Sequence, residues 1–367
     1  MVIDSRQITI EPLSPVFVWS GETLFSDLDF IVDGNDVIIV DFDKVIGEIK
    51  TEGDLEQYKN LLRELLKQYK QSGQYKNLLR ELYGFKLEFK IVGGKTINQI
   101  LDMNPYIIPA SEVKGLIRTA VINELVKSNR NAFDGSMKRV LTELNKIEKN
   151  RKMSKHNLKN IGQIVEQVMK GKLPTRTKYV YDALKTLIIS DPIVQSAEFN
   201  LNEIRILSIK GEPLTSTYAI TFTKGKLTYD AKIVKPTDYG VYKNSEVESL
   251  NAKITWDLIV SSLKNFSKTV VADEISKINK YLSNKHSYKE DLNKYLELMK
   301  NIENTKDCIP LRIGMFTGHV AKTVEVRDDV KRKREGLLTR LYDKRWDNNT
   351  LKITGGVGLG WIKMCIK

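Results

Sequence analysis

The chain has 367 residues, of which 41% are hydrophobic and 29% charged, so it can bury a core and is not disordered as a whole. Its 59 Lys and Arg against 46 Asp and Glu give a formal charge of +13, which favours a polyanionic partner, most simply nucleic acid. Two cysteines are too few for a disulfide framework or a zinc site, and no run of about 18 apolar residues could cross a membrane. We therefore expect a reducing, cytoplasmic setting without a membrane partner.

The N-terminal part of the chain predicts strands. Residues 7–19 predict an edge strand, because Pro12 and Pro15 interrupt the segment and proline cannot donate to a sheet. Residues 36–41 and 85–92 have the β-branched or alternating pattern of short strands.

A tandem repeat lies between these strands. The sequence QYKNLLREL occurs at residues 57–65 and again at 74–82, inside a segment (54–83) whose leucine spacing predicts helix. Two copies are too few for a solenoid, so we interpret them as a duplication that lengthened a helical hairpin.

A helix is predicted to begin after the segment YIIPA at residues 106–110. Ser111 is the expected N-cap, and Glu112 is well placed near the positive end of the helix dipole. Lys114 and Arg118 are four residues apart and therefore share a face of this helix.

Most of the surplus charge follows in one stretch. From Glu112 to Lys178 there are sixteen Lys or Arg and six Asp or Glu, which is +10 of the total +13. A solvated helix face would explain a single charge run. The concentration favours a surface that neutralises phosphates and binds with salt-sensitive affinity.

The rest of the chain alternates between strands and helices. Gly225 is expected to turn the chain after a strand at 215–223, and residues 246–301 predict long helices. Further strands are predicted at 186–190, 203–209, 311–314 and 353–367. This order favours an α+β fold with antiparallel sheets over a doubly wound parallel sheet.

The sequence contains partial matches to two phosphate-binding motifs, and neither match is complete. The segment from Gly318 to Thr323 is similar to the end of a Walker A loop, but Ala321 stands where the motif needs Gly before Lys322. Only seven residues follow Gly360, so the glycines near the end cannot open a dinucleotide-binding unit.

The glycine-rich loop itself has two interpretations. Its backbone N–H groups can cradle phosphates, or the glycines can simply form a tight turn between strands. Lys363 and Trp361 adjoin the loop, and Arg312 and Lys322 are candidates for a basic edge beside it. Trp361 is expected in the core, as most Trp side chains are largely buried.

No catalytic constellation stands out. His156, His286 and His319 have no partner at a metal-binding spacing. Six aspartates between Asp27 and Asp43 suit either Mg²⁺ or turns, and turns are favoured. We predict neither a cofactor nor a metal. An endoribonuclease that uses His319, His156 or a metal held by Asp27–Asp43 stays open, because acid–base partners are spatial.

Four segments together resemble the RAMP proteins of CRISPR systems. IEPLSPVFVWSGE (10–22) resembles their opening strand and turn, and YIIPASEVKGLIRTA (106–120) their "IPGSSLKGAIRTA" helix. LRIGMFTGHVAKTV (311–324) is similar to the segment that marks the family of the fifth Csm subunit, and GGVGLGWIKM (355–364) to the terminal glycine-rich loop.

The resemblance implies an α+β protein of two ferredoxin-like (RRM-like) RAMP domains. The first would span residues 1–200 and carry the basic helical insertion at about 120–178. The second would span residues 201–367 and end in the glycine-rich loop.

The resemblance also implies RNA-binding residues. Lys114, Gly115 and Arg118 would face the RNA backbone. A second contact surface and the loop beneath it would be formed by Gly318, His319, Lys322, Thr323, Gly355, Gly356, Gly358 and Gly360. Together with Arg312 and Lys363, these residues are the predicted interface.

The function implied is that of a non-catalytic subunit which binds CRISPR RNA (crRNA). It would cap the 3′-end side of a type III-A Csm effector complex and contribute to crRNA maturation or protection in antiviral defence. The implied partners are crRNA, the backbone and small Csm subunits, and a recruited host nuclease. The alternatives are a RAMP-type endoribonuclease, another RAMP subunit of a type III complex, and a basic scaffold that binds only proteins.

Overall fold

The structure is a computed structural model, and it describes most of the sheet and three long helices. The described residues are 4–26, 29–33, 36–39, 85–88, 97–103, 106–128, 170–172, 180–208, 213–234, 254–283, 288–305, 307–318, 320–322 and 350–367, with isolated positions at 53, 138–149 and 332–337. The duplicated QYKNLLREL helix, all three histidines, Thr323 and most of the basic stretch at 120–178 lie outside them.

The described chain forms three helices and a succession of strands. The helices are α1 (Ala110–Ser128), α2 (Trp256–Leu282) and α3 (Lys289–Glu303). The strands are β1 (Asp4–Pro12), β2 (Thr23–Phe25), β3 (Phe30–Asp33), β4 (Asp36–Ile39), β5 (Phe85–Glu88), β6 (Gln99–Leu101), β7 (Lys170–Lys172), β8 (Val180–Asp182), β9 (Leu187–Ile189), β10 (Ile193–Leu207), β11 (Pro213–Ile233), β12 (Ile309–Arg312), β13 (Leu351–Thr354), β14 (Val357–Gly358) and β15 (Trp361–Ile366).

Ten of these strands form one large sheet. Its order is β12-β15-β1-β11-β10-β13-β14, with β9 and β6 also paired to β11 and β2 paired to β6. The pairs are antiparallel except β6 with β11. This is the predicted α+β class with a large antiparallel sheet. Strand β10 crosses the predicted domain boundary at residue 200, and the division into two ferredoxin-like domains stays a prediction.

The predicted edge strand near the N-terminus is in fact central. β1 lies between β11 and β15, and its Ile8 and Ile10 are fully buried. Pro12 is tolerated because it is the last residue of the strand and the ladder ends there.

Gly225 was expected to turn the chain, and this prediction is wrong. β11 continues through Gly225, whose φ is +127° and which pairs with Ala197 beside two register shifts in β10. A Cβ at this position would lie 2.1 Å from the Ser196 carbonyl oxygen. The glycine therefore permits a close backbone approach at a bulge within a long hairpin.

Helix α1 begins two residues earlier than predicted. Ala110 is already helical, so Ser111 lies in the first turn and is not the N-cap. The carboxylate of Asp191, from the loop before β10, accepts a hydrogen bond from the Ala110 amide at 3.0 Å. A distant side chain thus supplies the acceptor that was expected from Ser111.

The two cysteines were expected as thiols, but Cys308 and Cys365 form a disulfide. Ile309 of β12 pairs with Met364 of β15, so the adjoining cysteines face each other across these strands. The pairing depends on a strand register that joins residues 57 positions apart, which the sequence pattern does not reveal.

Helix α2 provides much of the core and connects the other two helices to the sheet. Thr255 caps it by accepting a hydrogen bond from the Leu258 amide at 3.2 Å. Its inner face buries apolar side chains that include Ile259, Leu263 and Phe266. Among the helices that the structure describes, none combines the length and apolarity needed to cross a membrane.

Candidate nucleic-acid interface

The turn after β12 is held against the N-terminal segment. Gly314 and Gly318 have φ of +88° and +83°, and Phe316 has a φ of +63°, which is unusual for a bulky residue. The Met315 amide donates to the Phe17 carbonyl at 2.7 Å, and the rings of Phe17 and Phe316 stack with centroids 5.8 Å apart. The turn therefore has a conformation fixed by neighbouring elements.

A buried polar network lies under this turn. Arg312 Nη1 and Glu274 Oε2 are 2.7 Å apart, and each side chain is only 3% exposed. Arg312 Nε also donates to the Leu359 carbonyl at 2.8 Å. Arg312 was predicted to bind RNA, but its guanidinium is committed to these partners inside the core.

Two aromatic residues extend the network to α3 and β15. Tyr295 Oη donates to Glu274 Oε1 at 2.7 Å, and Trp361 Nε1 donates to Tyr295 Oη at 2.9 Å. Burial raises the pKa of Tyr295 well above its usual range, so the phenol keeps the proton that it donates. Trp361 is fully buried, which confirms its predicted place in the core.

The four glycines of the terminal loop have different roles. Gly355 and Gly356 form the turn between β13 and β14, with φ of +55° and +83°. Gly358 and Gly360 are sites of close packing: an added Cβ would lie 1.9 Å from Tyr295 Oη at the first and 2.4 Å from the Ile313 carbonyl oxygen at the second. A tight turn thus accounts for Gly355 and Gly356, and close packing accounts for Gly358 and Gly360. Among the four, only Gly355 is exposed with open space beside it.

Basic side chains gather beside this loop and turn. The position that a Cβ of Gly318 would take lies 3.9 Å from Arg312 Nη1 and 4.0 Å from Lys277 Nζ. Burial, followed by the charges of Arg312 and Lys277, lowers the pKa of Lys352 on β13. We call Lys277, Lys322 and Lys352 the lysine cluster.

The lysine cluster is also close to the start of α1. Lys322 is exposed at the end of a short 3₁₀ turn (Val320–Lys322). Burial of the rest of the side chain lowers its pKa, Glu112 of α1 opposes this shift, and Arg312 adds to it. The structure therefore brings the first turn of α1 and the segment after β12 together, although about 200 residues separate them in sequence.

On α1 itself, the predicted residues differ in exposure. Lys114 is half-buried and its Nζ donates to the Leu187 carbonyl at 2.6 Å. Arg118 is also half-buried, whereas Gly115 is exposed and has nothing within 4 Å of a Cβ position. Lys363 lies elsewhere, half-buried and 2.8 Å from Glu11 across the β1–β15 pair.

Lys277 and Lys352 were missed by the sequence analysis. Lys352 precedes the glycine-rich loop by three residues, and this proximity is a usable signal. Lys277 is one of many lysines in the helical segment 246–301, and nothing in the pattern distinguishes it. Only the packing of α2 against β12 brings it to the turn.

Comparison with known proteins gives a consistent result. Residues 9–319 match the family model of the RAMP superfamily. The chain is 24% identical over 336 residues to Csm5, a CRISPR system protein of Methanocaldococcus jannaschii, covering 87% of this chain and 73% of that protein.

Solved structures show the same fold. One chain of a cryo-EM structure of a Csm–crRNA–target RNA ternary complex of a type III-A CRISPR-Cas system superposes with a TM-score of 0.63 at 19% identity, covering 98% of this chain and 100% of that one. The crystal structure of Csm5 from T. onnurineus gives a TM-score of 0.56 at 18% identity, covering 97% and 99%.

Proposed function

Because the chain belongs to the RAMP superfamily, we propose that it is a Csm5-type subunit of a type III-A CRISPR effector complex, where it binds crRNA. The observation that carries the proposal is the extent of the likeness to Csm5, which runs over most of the chain in sequence and nearly all of it in fold. The structural neighbour from a Csm–crRNA–target RNA complex supports crRNA and other Csm subunits as partners.

The finer proposal is that the subunit caps the 3′-end side of the complex and contacts RNA without cleaving it. Spacer sequences vary between crRNAs, so the contacts must be chiefly to phosphate and ribose, which carry no sequence information. The basic residues on α1 and the lysine cluster suit such contacts, because ammonium and guanidinium groups recognise phosphate irrespective of base.

Isolation from the host tests the assignment. A tagged protein is purified at moderate salt, and the RNA that accompanies it is sequenced. We expect RNA species that share a repeat-derived 5′ segment and differ in their spacers. The other Csm subunits should accompany them. If no RNA is recovered, or only ribosomal fragments, the assignment fails.

Incubation with crRNA precursor and target RNA tests the non-catalytic role. The purified protein should leave both intact with Mg²⁺ and with EDTA. Discrete cleavage that a single His or Asp substitution abolishes would instead support the endoribonuclease. The 3′-end position is tested by crosslinking in the assembled complex, where contacts on the 5′ segment alone would contradict the cap.

The α1 surface gives a separate binding test. Lys114→Ala combined with Arg118→Ala should weaken binding similarly for RNAs of different sequence. Each phosphate contact to single-stranded RNA contributes about 0.7 to the slope of log affinity against log salt, so the slope should fall by about 1.4. Lys232→Ala with Lys268→Ala, two exposed lysines on β11 and α2, is the matched control. An unchanged slope in the α1 variant would exclude this face from the interface.

A further inference from the structure

The space beside Gly318 is bounded by cationic atoms. Gly318 has a φ of +83° and no side chain. Apart from its chain neighbours, the described atoms within 4 Å of its missing Cβ are Arg312 Nη1 and Lys277 Nζ. A small anion placed there would lie near both positive groups, and no other side chain of the described residues reaches within 4 Å of the missing Cβ.

Both cations beside Gly318 pair with carboxylates, whereas Lys322 and Lys352 have no such partner among the described residues. Arg312 pairs with Glu274, and Lys277 Nζ lies 2.6 Å from Asp273. In the described part of the chain, no carboxylate lies within ion-pair distance of Lys322 or Lys352.

Lys352 has a hydroxyl and not a carboxylate as its hydrogen-bond partner. Its Nζ donates to Thr350 Oγ1 at 2.5 Å. Burial, followed by the charges of Arg312 and Lys277, lowers the pKa of Lys352, and the charge of Glu274 opposes this shift. A bound anion would offset both the burial of this ammonium group and its repulsion from Arg312 and Lys277.

We propose that Lys277, beside Gly318, binds one phosphate group of the RNA backbone together with Lys352 of β13, and that Lys322, four residues after Gly318, is a third contact. The site deepens the proposed function and rests on it. Lysine suits this role because its ammonium group is a compact point charge that can meet a phosphate from several directions. Arg312 acts from beneath as a positioning residue, since its ion pair with Glu274 ties β12 to α2.

The proposal predicts opposite effects on binding and on stability. Lys352→Gln removes a poorly tolerated charge, so the variant should be at least as stable to urea as the wild type. The same variant should bind RNA more weakly. A lysine that serves only the fold would instead lose stability on substitution.

The experiment compares paired variants with a fluorescently labelled single-stranded RNA. Lys277→Gln with Lys352→Gln should lower the salt slope by about 1.4 and weaken affinity at moderate salt about tenfold or more. The matched control is Lys268→Gln with Lys232→Gln. Lys268 is nine residues from Lys277 on α2, so it lies on the opposite face of that helix. Lys277→Arg with Lys352→Arg should restore most of the binding.

Three outcomes would overturn the site. The first is a salt slope equal to that of the wild type, and the second is an equal decrease in both pairs, which would indicate diffuse attraction. The third is a loss of stability in the Lys352 variant that accounts for the loss of binding. Absence of RNA binding by the wild-type protein, alone and in its complex, would instead overturn the proposed function and the site with it.

Discussion

The buried pair of Arg312 and Glu274 allows a quantitative test of what holds the turn beside β12. Glu274→Gln keeps the size of the side chain but leaves the guanidinium buried without its counter-charge. Removal of one partner of a buried ion pair costs about 3–5 kcal/mol. Because each side chain is only 3% exposed, solvent cannot replace the lost carboxylate, and we expect a loss within this range.

A neighbouring acid on the same helix provides the control. Asp273 pairs with Lys277 at 2.6 Å but is 32% exposed, so Asp273→Asn should change the unfolding free energy by less than about 1 kcal/mol. Replacing both buried partners, as in Glu274→Leu with Arg312→Met, should recover part of the stability, since apolar residues often substitute for a buried pair at little cost. The recovery is incomplete because Tyr295 Oη loses its acceptor.

Equilibrium urea unfolding followed by far-ultraviolet circular dichroism measures these differences. The variants should shift the urea concentration at the midpoint of unfolding. The slope of the unfolding free energy against urea concentration should stay the same, because the surface exposed on unfolding does not change. If Glu274→Gln cost no more than Asp273→Asn, the pair would be accessible to water and the turn would not depend on it. If Glu274→Gln and the double variant Glu274→Leu with Arg312→Met lost the same unfolding free energy, packing and not the unpaired charge would explain the loss.

Three further predictions concern other parts of the molecule. The Cys308–Cys365 disulfide joins residues 57 positions apart, and its reduction should lower the unfolding free energy by up to about 4 kcal/mol. Urea titrations with and without dithiothreitol measure this loss. A variant with Ser at both positions should not respond to the reductant. Gly358→Ala should displace Tyr295, because its Cβ would lie 1.9 Å from the phenol oxygen, and should cost about 2 kcal/mol or more by the same assay; a variant as stable as the wild type would contradict this packing. Gly115→Ala should stabilise α1 by about 0.5–1 kcal/mol, since a helical glycine is unfavourable and the Cβ has open space, yet it should weaken RNA binding if RNA approaches this surface closely; unchanged binding would remove Gly115 from the interface.

The strands and helices were predictable where local pattern decides them. The alternation at 215–223 indicates part of β11, and the helix after Pro109 begins within two residues of the expected place. Features set by distant partners were not predictable. Glycine is typical of turns, but Gly225 lies at a bulge because it pairs with β10.

The candidate site shows the same limit. The placement of Gly318 and Lys322 near the glycine-rich loop was predicted from the family resemblance, because more than 30 residues separate them from the loop in sequence. Arg312 was assigned to RNA from its neighbours, but the acid that neutralises it lies 38 residues earlier, on another element. Lys277 entered the site only through the packing of α2, so no pattern along the chain could have identified it.

The meeting of the two ends of the chain has a consequence for folding. Gln7 and Lys367 exchange backbone hydrogen bonds of 2.9 and 3.0 Å, and β15 lies between β12 and β1. The middle of the sheet therefore depends on contacts between residues about as far apart in sequence as this chain permits. Pairing of strands so far apart in sequence is slow, because the chain loses conformational entropy before the new contacts stabilise it. Trp361 can pack against Tyr295 only after β15 is present, so we predict that the turn after β12 acquires its final conformation late in folding.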